Sequence, residues 1–231
     1  MRSLKYRIGG ATFAIALAAG AVTAVAPSAF ANPDGTNVVI NEVYPGGGAA
    51  GAKYNRDFVE LYNPTKQPID VSGWTLHQYA ANPTPSNSIS LPADTVIPAG
   101  GFLVIGLGSD GKAGDPLPEG FIDAGSKINF SGSRAAAELR DKDGNSVDLL
   151  AWGSAQVNEG NKAPAPSSKT ESIQRNVAGV DTDDNDRDFQ LGEADPGTAS
   201  LFPEAAPSEE PQPSDTTGEQ GPKGDKGDTG E

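Results

Sequence analysis

The sequence predicts an all-β domain, an antiparallel sandwich or barrel, set between an export signal and a low-complexity tail. Three observations predict it. Short segments rich in branched and aromatic residues recur through the middle of the chain, each bounded by Gly, Pro, Asn or Asp. No window of helical length carries a convincing 3.6-residue apolar period. The chain has no cysteine, so roughly 170 residues between signal and tail must be held by an ordinary hydrophobic core, without disulfides or thiolate chemistry.

The first 31 residues read as a signal peptide. Arg2, Lys5 and Arg7 form a basic start, and ATFAIALAAGAVTAVA is an apolar run. APSAFA then places Ala29 and Ala31 where a signal peptidase reads, so the mature chain is expected to start at Asn32. The run is interrupted by Gly20 and closed by Pro27, which disfavours a retained anchor of about 20 apolar residues. No later segment is apolar enough to span a bilayer, so no membrane-spanning segment is expected after cleavage.

Strands are expected at VVINEVY (38–44), DFVELYN (57–63), VSGWTLHQY (71–79), SISL (88–91), FLVIGL (102–107), KINFS (127–131), AAELRD (136–141), SVDLLAW (146–152) and ESIQR (171–175). SRAAAELRD is the best helical candidate, but it is short and abuts a turn signal, and it reads as strand. Asp143-Gly144 is expected to supply the positive φ angles of a primed hairpin turn. In FVELY, Val59 and Leu61 share one face and are assigned to the core; Trp74 and Trp152 are assigned there as large apolar anchors. After about Pro203 the texture becomes Pro-, Glu-, Ser- and Thr-rich, a composition that cannot offset chain entropy and reads as a disordered linker over 204–217.

VVINEVYPGGG, DFVELYNPTKQPIDVSGWTL, IPAGGFLVIG, SVDLLAWG and SIQRNVAGVDTDDNDRDFQ, in that order, resemble the lamin tail domain family in its bacterial secreted form, over roughly residues 36–200. The resemblance implies an immunoglobulin-like β-sandwich, here bounded at 36–203. It also implies an adaptor rather than a catalyst, and it assigns no catalytic residue. One departure is at the close, where the family often has a Pro-Gly-x-x-Asn-like stretch and this chain reads DPGTAS.

The densest set of oxygen ligands is DTDDNDRD. Asp181, Asp183, Asn185 and Asp186 are the candidate ligands for a Ca²⁺ ion, which takes six to eight oxygens from carboxylates and carbonyls on a loop. Asp181, Asp183 and Asn185 match positions 1, 3 and 5 of an EF-hand-like loop. Asp186 replaces the required Gly, however, and Gly192 stands where a bidentate Glu belongs. A structural turn, with Asp and Asn side chains bonding their own backbone, is the competing reading. Glu42 and Glu60 resemble a carboxylate pair for glycoside hydrolysis, but they lack a readable sugar cleft and read as hydrogen-bonded structural groups. GLGSDG (106–111) matches G-x-G-x-x-G without the helix that a dinucleotide site needs. His77 is the sole histidine, which excludes a two-histidine metal site, and no G-x-S-x-G elbow provides a nucleophile. YPGGGAAGAKYNRD (44–57) reads as a long flexible loop.

Loss of the three signal-peptide cations takes the net charge from −14 to −17. A chain this acidic is repelled by phosphate backbones, so no direct nucleic-acid partner is expected. The C-terminus, GEQGPKGDKGDTGE, carries glycine at 218, 221, 224, 227 and 230, the spacing a collagen triple helix requires. The tract spans about 40 Å and is too short to hold three chains together against their ordering entropy. It is expected to continue into a longer stalk that trimerises, or to be a disordered remnant. Together these readings anticipate a secreted, non-enzymatic binding or display module at the cell surface or in the matrix, with an extracellular protein or envelope component as partner. The alternative is an accessory domain of a secreted hydrolase such as a nuclease or phosphoesterase.

Overall fold

The computed structural model describes residues 32–197, apart from 33, 81 and 109. The signal peptide, the linker and the glycine triplets lie outside the described residues.

The strands are β1 (Val39–Tyr44), β2 (Asp57–Tyr62), β3 (Ile69–Asp70), β4 (Thr75–Tyr79), β5 (Asn87–Ser90), β6 (Val96–Ile97), β7 (Phe102–Leu107), β8 (Ile122–Asp123), β9 (Arg134–Arg140), β10 (Ser146–Gly153), β11 (Glu171–Arg175) and β12 (Phe189–Glu193). One helical turn, α1 (Asn185–Asp188), precedes β12. A six-stranded sheet has the order β12-β11-β1-β2-β7-β8, a four-stranded sheet the order β10-β9-β4-β5, and β3 and β6 form a separate ribbon. All pairings are antiparallel except β7 with β8. The two larger sheets face each other across one core: Val59, Leu61, Ile105 and Ile173 from the first meet Leu76, Leu139, Leu150 and Trp152 from the second. Of the sandwich and barrel that the strand pattern left open, this is the sandwich, in the immunoglobulin-like form that the family resemblance implies.

Local chemistry explains the elements. The register of β1 against β2 shifts between Ile40 and Glu42. This bulge lets Val38, Ile40 and Val43 all reach the core, although strict alternation would turn Val43 away. Glu42 and Tyr44 are thereby sent to the outer face. Just after β2, buried Asn63 donates from Nδ2 to the carbonyls of Gln67, Ile97 and Pro98 at 2.8, 3.0 and 3.0 Å, which fastens the β3–β6 ribbon to the sheet end. Trp74 is 8% exposed and Trp152 fully buried, with the Trp152 indole N–H donating to Ser131 O at 3.0 Å.

Several expectations change. Residues 71–74 form a turn, with Gly73 at φ +74°, so that strand starts only at Thr75. KINFS is not a strand: Ile128 and Phe130 are buried, but the Phe130 amide donates to Asp57 Oδ2 at 2.9 Å rather than to a ladder. The β9–β10 turn is not a primed one. Asp141 accepts the Asp143 and Asn145 amides through Oδ1 at 2.9 and 2.8 Å, and of the turn pair only Gly144, at φ +84°, has positive φ. A side chain therefore does what a primed backbone would have done. β12 is a strand beyond those expected, with Phe189 and Leu191 alternating onto the core.

The 44–57 loop, expected to be flexible, packs over the outer face of the six-stranded sheet. Tyr44 stacks on Phe58 at 5.4 Å between centroids, with Tyr54 edge-on to both, and Val104, Leu117 and Ala194 complete a second apolar cluster. The glycine loop after β7 closes against this insertion. A β-carbon on Gly111 would fall 2.1 Å from the Gly48 α-carbon. Gly111→Ala is therefore expected to cost about 1–3 kcal/mol by overpacking. Urea denaturation checks this, and an unchanged midpoint would mean that the two loops do not press together.

Candidate functional site

Alternation in β11 places Arg175 on the same inward side as Ile173, and alternation in β10 places Asp148 inward with Leu150 and Trp152. Both side chains are fully buried at one end of the sandwich. Arg175 donates from Nε to Ile40 O at 2.9 Å, from Nη1 to Val180 O at 2.7 Å and from Nη2 to Asp148 Oδ2 at 2.7 Å. Its guanidinium lies 4.4 Å from the centre of the Phe189 ring, the residue opposite it in β12. Asp181 Oδ1 and Asp188 Oδ2 stand 3.7 and 3.6 Å from Nη1. Asp148 Oδ2 also accepts the Ile40 amide at 2.6 Å, so one carboxylate joins the two sheets.

More acid gathers here than Arg175 balances. One oxygen from each of Asp148, Glu159 and Asp181 lies within 4.8 Å of the other two. Burial pushes the Glu159 carboxyl up to about 10, with Asp148 and Asp181 adding repulsion. Burial raises Asp181 to about 7, Asp148 adding repulsion and Arg175 opposing it. Asp148 is raised by burial against the pull of Arg175 and the Ile40 amide.

The four acidic-turn residues separate. Asp181 is fully buried in this network, and its Oδ1 accepts the Asp183 amide at 3.2 Å. Asp183 holds the turn at φ +55°. Asn185 is buried beside the network: Oδ1 accepts the Ala151 amide at 2.7 Å, and Nδ2 donates to Leu149 O at 2.8 Å and to Glu159 Oε2 at 3.1 Å. Asp186 faces solvent, and its amide donates to Asn161 O at 3.2 Å. Gly192 lies in β12 rather than in the loop. Asp148, Glu159 and Arg175 were not singled out from sequence. The inward parity of a charge within SVDLLAW and ESIQR was the available signal for two of them; Glu159, in the β10–β11 loop, offered none.

A second carboxylate pair lies on the outer face. Glu42 and Glu60 are direct cross-strand partners, and both are buried. Burial pushes Glu42 up to about 8 and Glu60 to about 7. Glu42 Oε1 accepts the Asp195 amide at 3.2 Å, Glu60 Oε2 accepts the Gly197 amide, and Glu60 Oε1 accepts Asn41 Nδ2 at 2.8 Å. The chain leaving β12 is thus clamped across the sheet, which covers both acids, in keeping with structural carboxylates. His77 is half-buried on β4, with Nε2 2.9 Å from Thr75 Oγ1; burial and Arg140 lower its pKa. In the glycine loop, Arg56 pairs with Asp110 and with Asp123 at 2.9 Å. Gly106 sits under the Phe121 ring, where a β-carbon would fall 2.7 Å away.

A search of curated proteins returned no match to the chain. The family model described as Lamin Tail Domain matches residues 31–154, from before β1 through β10, so Asp148 lies inside the match and Arg175 and Asp181 beyond it. With that match over more than half of its length, and with two antiparallel sheets closed on one core, the chain belongs to the lamin tail domain family, immunoglobulin-like domains that are in general non-enzymatic.

Proposed function

We propose that this lamin tail domain is exported and serves as a binding or display head, carried on a collagen-like stalk at the cell surface or in the extracellular matrix. The observation that carries the reading is the run of five in-phase glycines with Pro, Lys and Asp that follows the acidic linker. The basic start, apolar run and Ala-x-Ala site at the N-terminus support export. The clamp of residues 195–197 by Glu42 and Glu60 supports an exit able to carry tension: a pull on the tail meets the sheet through those hydrogen bonds. Three heads on one stalk would bind an extracellular protein or envelope component by avidity, at an effective concentration set by the stalk.

The test is the molar mass by light scattering of the protein recovered from its host's medium, alongside its intact subunit mass. The expected result is a trimer of subunits beginning at Asn32, converted to monomers by collagenase. A monomer that co-purifies with nuclease or phosphoesterase activity would replace this reading with that of a hydrolase accessory domain.

A further inference from the structure

Asp148 Oδ1, Glu159 Oε1 and Asp181 Oδ2 are all buried, and none has a hydrogen-bond partner. Their residues are 0%, 8% and 0% exposed. Natural proteins pair nearly all such atoms, and a lone orphan is costly. Three orphans on residues whose carboxylates approach within 4.8 Å of one another share a cause. The hydrogen bonds from Arg175 to Asp148 Oδ2, Ile40 O and Val180 O engage other atoms than these three.

We propose that Asp148, Glu159 and Asp181 bind a Ca²⁺ ion. The donors are all hard carboxylate oxygens, as Ca²⁺ prefers. With Ca–O distances of about 2.3–2.6 Å, oxygens around one ion stand at most about 5 Å apart, and the three carboxylates lie inside that limit. Mg²⁺ dehydrates reluctantly and usually keeps several waters, so a cage of buried protein oxygens favours Ca²⁺. Charge favours a cation as well: Asp148, Glu159, Asp181 and Asp188 gather around the single guanidinium of Arg175, and a divalent ion would offset the repulsion among them. The ion would staple β10, the β10–β11 loop and the turn after β11, successive segments between residues 148 and 181, in a chain without cysteine. Asp181 is shared with the ligand set read from the sequence; Asp148 and Glu159 take the places given there to Asp183, Asn185 and Asp186.

The experiment titrates CaCl₂ into the chelator-stripped full chain by calorimetry and follows the thermal midpoint. One ion per chain is expected, with a midpoint rise of about 5–10 °C at a hundredfold excess over Kd. MgCl₂ at the same concentration should leave the midpoint in place. Glu159→Gln should weaken Ca²⁺ binding at least about tenfold, while Asp186→Asn, altering an exposed side chain, should leave it unchanged. Absence of heat and of a midpoint shift in the wild-type chain would overturn the proposal. So would equal shifts with Mg²⁺, or a Glu159→Gln chain that binds Ca²⁺ as the wild type does. Because the titration uses purified protein, its outcome is independent of whether the chain is exported or trimeric.

Discussion

Replacing Arg175 with leucine is expected to destabilise the domain by about 3–5 kcal/mol and to lower its thermal midpoint by about 6–20 °C. The guanidinium is fully buried and joins three parts of the fold: β1 through Ile40, the turn after β11 through Val180, and β10 through Asp148. Its loss leaves Asp148 buried without its cation, next to Asp181 and Glu159. Removing one partner of a buried pair costs far more than the pair contributes, because the surviving charge cannot return to water. Arg175→Lys should recover part of the loss. A lysine keeps the charge but not the planar fork that reaches Ile40, Val180 and Asp148 together. The measurement is urea denaturation with chelator present, so that no bound cation compensates. A leucine variant within about 1 kcal/mol of wild type would show that hydrophobic packing around Phe189, and not the ion network, holds this end of the sandwich closed.

The second large effect is a dependence on pH. Glu42 is pushed from its ordinary value near 4.5 up to about 8, chiefly by burial, with Glu60 opposite adding repulsion. A carboxyl whose pKa is raised in the folded state binds its proton more tightly there than in the unfolded chain. Its contribution is therefore full below about pH 4.5 and is lost as the pH rises through 8. Glu60, raised to about 7, and Asp57, raised to about 6, act in the same direction. Glu42→Gln keeps an acceptor for the Asp195 amide and cannot ionise. A tenfold difference in proton affinity between folded and unfolded chains corresponds to about 1.4 kcal/mol. The stability of the variant relative to wild type is thus expected to grow by on the order of 2–4 kcal/mol between about pH 5 and pH 8.5. Parallel stability-versus-pH curves for the two proteins would refute this, and would mean that Glu42 is already ionised in the fold.

The same residues show why some of this was legible in advance and some was not. Val59 and Leu61 announce an inward face by alternation, and Asn63 with its following Pro announces a strand end; both signals lie within a few residues of each other. The bulge at Asn41 is different. It reverses the facing of everything after Ile40 in β1, and only pairing with β2 reveals it. KINFS has the composition of a strand, yet its position beside Asp57 gives its backbone a side-chain partner instead of a ladder. The acidic turn looked like one contiguous ligand set. Folding divides it, burying Asp181 and Asn185 while Asp186 stays in water.

By itself the sequence determined the class of fold and its core anchors, because period-two patterning and turn chemistry are local properties of the chain; the family was legible only as a resemblance carried by the ordered motifs. Only the tertiary structure decided that Asp148, Glu159, Arg175 and Asp181 would meet, and that Glu42 would face Glu60 beneath the departing chain. The physical reason is that burial and proximity set the chemistry of a carboxylate. An acid that would behave ordinarily in water becomes a proton holder or a cation ligand when distant segments enclose it together with other acids.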